Sequence, residues 1–484
     1  MIQNIAADCA VENSRKTCLQ CGALLEQPAL MQFENMPASA QDIPRKAELQ
    51  DDHGVSLSLC RCPACGLVQF SCNPVTYYRE VIRAVGLSQT MRELRRGDYR
   101  LLLSKYGMTG KKVLECGCGR GEFLEVLREF PVRIYGMEAD AQQANDAQKN
   151  LNAQPDEIKT GTRQHRRDDG KQAKAAESEP PKQSLDGETN SAKEGTPYQN
   201  IGPCTIYHAF PETADLKLPD APFDCFLSFN FLEHQPDPRA MLRAMEQNLV
   251  PGGIGLITVP SFEYIIGEGR YYELIRDHIA NYSMDALCRL CTACGFTVLE
   301  QGFIGIGDTL RVVVQKNRAD ENAKRIAAER TAKPVTAPAA KTVHSDEQHA
   351  DAAKSSIPEM NIKPLLDNYK NMRAALSSYM EKLSQEKRRI AMWGASHQGF
   401  TIAATTALSS NVCYIIDSAP FKQGRYAPAS HIPIVPPSHF FEDPVDVILI
   451  AAPGYRKEIE ALIRKNYAAY PKLKVCDLID LRER

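Results

Sequence analysis

The sequence predicts an α/β protein with three parts: a small cysteine-rich N-terminal module, a large strand–helix core and a second, smaller strand–helix domain. Three observations predict it. Residues 112–124 read as a strand, a glycine-rich turn and a helix. Apolar strand-like runs then alternate with helical stretches to about residue 316, the pattern of a mostly parallel sheet covered on both faces. The strand–glycine turn–helix theme returns at Arg389–Phe400, so both α/β parts read as Rossmann-like.

The bulk properties narrow the class. The 484 residues allow two to four domains. Net charge is −2 and no face or tail is strongly basic, so no nucleic-acid partner is expected. No apolar run reaches membrane-spanning length, so no membrane association is expected either. The segment Met1–Asp8 lacks the basic and apolar regions of a secretory signal. Sixteen cysteines therefore read as metal ligands or buried small residues, not disulfides, and the cytoplasm is the expected compartment. The oligomeric state stays open.

In chain order, residues 1–73 form the cysteine-rich module. Cys18-Leu19-Gln20-Cys21-Gly22 and Cys62-Pro63-Ala64-Cys65-Gly66 are two knuckles, each presenting two thiolates. Cys18, Cys21, Cys62 and Cys65 make a closed tetrahedral set for a structural zinc ion (Zn2+). Cys60 and Cys72 lack knuckle spacing. Residues 74–109 are expected to be a helical connection, with the helix over 74–105.

The core domain spans residues 110–316. Its first strand ends at Glu115-Cys116, followed by Gly117, Gly119 and Gly121. The glycines let the backbone approach a ligand. Glu115 at the strand end would repel a phosphate and suits a cationic amino group, as in S-adenosylmethionine (SAM). Glu138 closes the second strand, where a ribose hydroxyl pair is usually held. Residues 152–199 carry almost no large apolar side chain and read as a disordered insertion. Strands are expected at Cys204–His208, Phe223–Asn230 and Ile254–Pro260, the last entered through a turn at Pro251-Gly252-Gly253, and finally at Phe296–Gln301 and Leu310–Gln315, which closes the sheet.

Between the fifth strand and the next helix, residues 261–283 hold a dense set of titratable and aromatic groups, including Tyr272, Asp277 and His278. Acceptor chemistry belongs in such a loop at the strand ends. His278 is its natural general base, because imidazole titrates near working pH. Cys288, Cys291 and Cys294 fit one face of a helix ending at Gly295, without the fourth Cys-Pro of an iron–sulfur run. Residues 317–358 read as a flexible linker and 359–484 as the second Rossmann-like domain, opened by a helix over 361–386. Its Gly394–Gly399 turn lacks the middle glycine of a dinucleotide fingerprint, so no second cofactor is assigned.

The order of Glu115-x-Gly117-x-Gly119-x-Gly121, the acid Glu138, Asn230-x-Leu232-Glu233-His234 and Pro251-Gly252-Gly253 resembles a class I SAM-dependent methyltransferase over residues 110–316. The resemblance implies that Glu115, Gly117, Gly119 and Gly121 cradle the methionine part, that Glu138 holds the ribose and that Asn230 lies near the cofactor. The whole chain resembles bacterial nucleotide-sugar C-methyltransferases. The two knuckles, Leu232-Glu233-His234, Trp393-Gly394-Ala395-Ser396 and Asp417–Pro428 with His431–Ile434 carry that likeness. It implies a small-molecule acceptor, a nucleotide-linked 4-keto-deoxysugar methylated on carbon. In this family a Glu-His pair after the fifth strand is central, and Asp277-His278 stands there. Asp277 would then fix the His278 imidazole, and His234 matches an active-site histidine. Lys422, Arg425 and Tyr426 would face the nucleotide.

Two departures stand out. Ile275 occupies the place of a family tyrosine, with Tyr271 and Tyr272 just before it, and Val81–Ser88 replaces a Tyr/Ser-rich loop. Tyr77 and Tyr78 are the candidate substitutes, and Tyr78 and Tyr272 are the tyrosines expected to bind the acceptor. Methyl transfer to oxygen or nitrogen, or a zinc-stapled scaffold that binds SAM without turnover, stay open as alternatives.

Overall fold

The computed structural model describes residues 15–79, 89–153, 199–318 and 360–483. The expected insertion at 152–199 and linker at 317–358 lie largely outside these residues. The N-terminal part holds β1 (Met31–Met36), β2 (Val55–Arg61) and β3 (Val68–Phe70). The core follows with α1 (Gln89–Lys105), β4 (Lys112–Cys116), α2 (Glu122–Leu127), β5 (Arg133–Glu138), α3 (Ala141–Asn152), β6 (Thr205–His208) and β7 (Phe223–Phe229). It continues through α4 (Pro238–Gln247), β8 (Leu249–Pro260), α5 (Phe262–Gly267), β9 (Ala280–Asn281), α6 (Met284–Ala293), β10 (Phe296–Ile304) and β11 (Thr309–Lys316). The C-terminal part holds α7 (Lys363–Gln385), β12 (Ile390–Trp393), α8 (His397–Thr405), β13 (Tyr414–Ile416) and β14 (Ile434–Val435). It ends with α9 (His439–Glu442), β15 (Val447–Ile450), α10 (Arg456–Asn466) and β16 (Lys474–Asp477).

The central sheet has seven strands in the order β10-β11-β8-β7-β4-β5-β6. Strands β4 to β8 run parallel, and β11 and β10 are antiparallel additions. This is the class I methyltransferase arrangement. One detail differs from expectation. The Leu310–Gln315 strand does not close the sheet at an edge: β11 slots between β8 and β10, so β10 is the edge strand. A tight turn at Gly305 and Gly307, both with positive φ, folds β11 back inward. The C-terminal sheet is fully parallel, in the order β14-β13-β12-β15-β16.

Two further expectations change. Of the helix expected over 74–105, Gln89–Lys105 is helical as α1, residues 80–88 lie outside the described residues, and Val75–Tyr78 form a turn, with Tyr78 N bonded to Val75 O at 3.2 Å. Pro74 and a bond from Tyr77 to Asp277 hold that segment off the helix axis. The N-terminal module is also not self-contained. Strand β9, from the loop before α6, pairs with β3 through Val68–Asn281 and Gln69–Ala280 and completes a four-stranded sheet. Burial explains the docking: Phe33 of β1 is fully buried against Tyr271 of the core and Tyr369 of α7. One continuous apolar core thus runs through all three parts. Among the described residues no helix is long and apolar enough to cross a membrane.

The Cys288, Cys291 and Cys294 spacing is helical as expected. Helix α6 starts at the Ser283 cap, which accepts from Ala286 N, and stops at Gly295 with φ +93°.

Candidate active site

The first site forms where β4 and β5 end side by side. Gly117, Gly119 and Gly121 have φ of 71°, 58° and 84°, the left-handed region that glycine enters without cost. The turn lies flat on β5, with Gly117 N and Cys118 N both donating to Met137 O. Glu115 is fully buried at the strand end. Glu138 accepts from Gly119 N at 2.8 Å with one oxygen and from Ala139 N and Asp140 N at 2.9 and 3.1 Å with the other. Burial raises its pKa against these bonds. Asn230 stands at the end of β7 with φ 48° and accepts from Thr258 Oγ1 at 3.1 Å. Two buried acids around a positive-φ glycine cradle fit a cofactor with an amino group and a ribose. A Cβ on Gly117 would sit 2.4 Å from the Phe231 ring. Gly117→Ala is therefore expected to lower SAM affinity by at least tenfold, read by calorimetry; wild-type affinity would show that the turn does not hold the cofactor.

The second site lies at the carboxyl ends of β7 and β8. His234 is 6% exposed, and its Nδ1 lies 2.8 Å from Asp277 O. A carbonyl only accepts, so Nδ1 carries the proton and Nε2 keeps its lone pair. Burial pushes His234 down to about 4. The half-buried His278 ring packs edge-on against it, centroids 4.8 Å apart. Its surroundings, then the charges of His234 and His397, hold His278 well below the ordinary imidazole range. Both rings are thus neutral bases at neutral pH.

Asp277 does not orient His278. Its carboxylate points the other way, accepting from Ala40 N at 2.9 Å and from the Tyr77 hydroxyl. It is the Asp277 carbonyl that serves the histidine pair, through His234. The adjacent strand β9 explains this: pairing with β3 pulls the loop toward the N-terminal module, and the carboxylate follows.

Glu233 is the residue that sequence reasoning missed. It is 1% exposed, and its carboxyl oxygens have no hydrogen-bond partner among the described residues. Its ligand atoms lie within 4.8 Å of those of His234 and His278, a set able to hold a divalent ion. Burial raises Glu233 to about 8. The native carboxyl therefore keeps a proton that the unfolded chain releases, and stability is lost as pH rises from about 5 to about 8. Glu233→Gln is expected to gain several kcal/mol over the wild type near pH 8 and little near pH 4, read by urea unfolding. Parallel pH profiles would exclude a protonated Glu233. His234 works oppositely: its contribution is present above the unfolded value of 6.5 and falls away on acidification toward about 4. The only sequence signal for Glu233 is its place inside Leu232-Glu233-His234, and nothing there reveals its burial.

The four knuckle cysteines come together. Their sulfurs lie within 4.8 Å of one another, with Cys18–Cys65 at 3.5 Å and Cys21–Cys62 at 3.4 Å. Gly22 N and Gly66 N, each on a positive-φ glycine, donate back to Cys18 O and Cys62 O and close the knuckles. Bonds from Cys18 and Cys65 pull Cys62 well below the ordinary thiol range. Cys60 and Cys72 stand outside the group. The four-thiol donor set fits a structural zinc.

The expected acceptor residues divide. Tyr78 is half-buried and packs edge-on against Phe210, which packs on Phe231, the ring over Gly117. It therefore sits on the cofactor side. Tyr272 is fully buried in the apolar core shared by the three parts, its ring packed against Tyr271. Lys422 donates to Ala395 O at 2.8 Å and sits near Asp417, bracing its own turn. Arg425 donates to Ile43 O at 2.9 Å, and Tyr426 N to Pro44 O at 2.9 Å. These two bonds dock the C-terminal domain onto the N-terminal module, and the Arg425 guanidinium is engaged there. The C-terminal domain instead presents His397, whose Nε2 lies 3.2 Å from Glu273 of the core.

By fold and by site, the chain carries a methyltransferase domain of class I. Residues 88–301 match the model of a methyltransferase domain, and residues 307–470 match that of the C-methyltransferase C-terminal domain, which together support a C-methyltransferase family. The C-methyltransferase NovU of Streptomyces niveus is 22% identical over 228 residues, 47% of this chain and 50% of NovU. The chain thus spans about half the length of this curated relative. Among solved structures, magnesium protoporphyrin IX methyltransferase from Synechocystis PCC 6803 is 11% identical, with a TM-score of 0.29, covering 47% of this chain and 79% of its own. The PH0226 protein of Pyrococcus horikoshii is 13% identical, with a TM-score of 0.32, covering 50% and 98%. These superpositions are loose, and nothing in the assignment rests on them.

Proposed function

We propose that the protein is a SAM-dependent C-methyltransferase whose acceptor is a nucleotide-linked 4-keto-deoxysugar. The observation that carries this reading is the neutral His234–His278 pair at the strand ends, in a chain that matches the C-methyltransferase C-terminal domain. Glu115, the glycine turn and Glu138 would hold SAM, which supplies an electrophilic methyl group. Carbon methylation needs a base, because the attacking carbon must first lose a proton. His278 is that base: it takes the C3 proton of the keto sugar, and the resulting enolate carbon bonds the methyl as the carbon–sulfur bond breaks. His234, held by the Asp277 carbonyl, packs against His278 and fixes its ring. Holding both reactants in contact supplies a large part of the rate. The cysteine set would bind zinc as a structural staple.

The test is methyl transfer from labelled SAM to a panel of nucleotide-linked 4-keto sugars, with exchange of the C3 proton into deuterated water followed beside it. Label on carbon with C3 exchange supports the reading. Methylation without C3 exchange would point to an oxygen or nitrogen acceptor, and SAM binding without any methylation to a scaffold.

A further inference from the structure

One carboxyl and two imidazoles converge between the end of β7 and the start of β9. Glu233 and His234 follow β7, and His278 stands two residues before β9. One ligand atom from each lies within 4.8 Å of the others. Three observations make the group a metal site. Both oxygens of the buried Glu233 lack a hydrogen-bond partner among the described residues. A buried carboxyl is costly without a partner, and a cation supplies one. His234 is already oriented as a ligand. Its Nδ1 proton goes to Asp277 O at 2.8 Å, which leaves the Nε2 lone pair for an ion. Metal-bound histidines are fixed in this way, through the other ring nitrogen and a backbone carbonyl. The His278 ring packs on His234 at 4.8 Å between centroids and is only half-buried, so an ion has an entry side and a place for water. A tetrahedral ion with bonds of about 2 Å sets its ligands about 3.3 Å apart, so the three side chains close by no more than about 1.5 Å around it. Two nitrogens and one carboxylate suit zinc or cobalt and not magnesium or calcium, which take oxygen ligands.

We propose that Glu233, His234 and His278 form a second metal site, separate from the knuckle cysteines, that takes a divalent ion of the zinc and cobalt type. The ion replaces the Glu233 proton on binding. It also takes the His278 lone pair, so its arrival stops methyl transfer; this consequence rests on the base assigned to His278 in the proposed function. The two sites differ in strength. Four thiolates close around one ion, whereas three ligands and a solvent side hold the other, so the knuckles fill first. One zinc ion would staple the N-terminal module, and the next would inhibit the enzyme.

The experiment is zinc calorimetry on the untagged full chain whose knuckles already carry one equivalent, with methyl transfer followed in parallel. Wild type is expected to take up a second equivalent. Glu233→Gln keeps the size of the side chain and should weaken that second event roughly tenfold or more, as should His278→Ala. Cobalt(II) offered in place of the second zinc should give ligand-field absorption without thiolate-to-cobalt bands. These two readouts need no acceptor. Methyl transfer by wild type should fall as the second site fills and return on mild chelation. In Glu233→Gln the zinc needed for the same fractional loss, judged against the metal-free rate of that variant, should rise by the same factor as the affinity falls. No second equivalent in wild type would overturn the proposal, as would an unchanged second affinity in both variants or cobalt bands from thiolates. Filling of the second site with turnover untouched would leave the metal site standing and sink His278 as the base instead.

Discussion

His278→Ala is expected to lower methyl transfer by about 10²–10⁴-fold, the usual worth of a positioned general base, while SAM binds as in wild type. The separation follows from geometry. His278 sits at the ends of β7 and β8, whereas the residues proposed to hold SAM lie elsewhere: Glu115 in β4, Gly117 in the turn after it and Glu138 at the end of β5. Exchange of the acceptor C3 proton should stop together with methylation, because both need the same proton removed. His234→Ala should cost less, since His234 orients the ring and takes no proton itself. The pH profile adds a check. Because His278 is held well below its ordinary range, the rate should stay flat through neutral pH and fall only on acidification below the usual imidazole value. Full C3 exchange in His278→Ala would remove it as the base.

Cys62→Ser is expected to be the most destabilising single change in the N-terminal module, and to abolish turnover without touching a reacting group. Structural zinc in small modules contributes on the order of 10 kcal/mol or more of apparent binding free energy. The loss would spread. Cys62 follows β2, β2 pairs with β3, and β3 pairs with β9, two residues beyond His278. Releasing the knuckles therefore frees the strand that fixes the catalytic loop, and with it the Ala40 and Tyr77 bonds to Asp277. The measurements are zinc content, thermal unfolding and hydrogen exchange at Ala280–Asn281. Wild-type stability and exchange in a zinc-free variant would show that the knuckles need no metal.

The sequence by itself determined the local features. The glycine turn, the acids at the two strand ends, the knuckles and the α6 cysteine spacing are short-range patterns, and each appears where the residues place it. Such patterns are legible because backbone conformation and ligand spacing depend on neighbouring residues. Glu138 read correctly as the acid at the second strand end, but not as a clasp on Gly119. The failures involve contacts made across long stretches of chain. Asp277 read as a partner of His278 because the resemblance places a carboxylate–histidine pair there, yet its carboxylate is claimed by Ala40, 237 positions away. Tyr272 read as an acceptor-binding residue, and the packing of three domains buries it. Arg425 read as a phosphate ligand, and Ile43 O, 382 positions away, takes its guanidinium. Only the tertiary structure decided which polar groups are satisfied, because the partner, or its absence, is set by folding the chain back on itself. Burial then assigns their chemistry: it keeps His234 and His278 neutral and leaves Glu233 protonated.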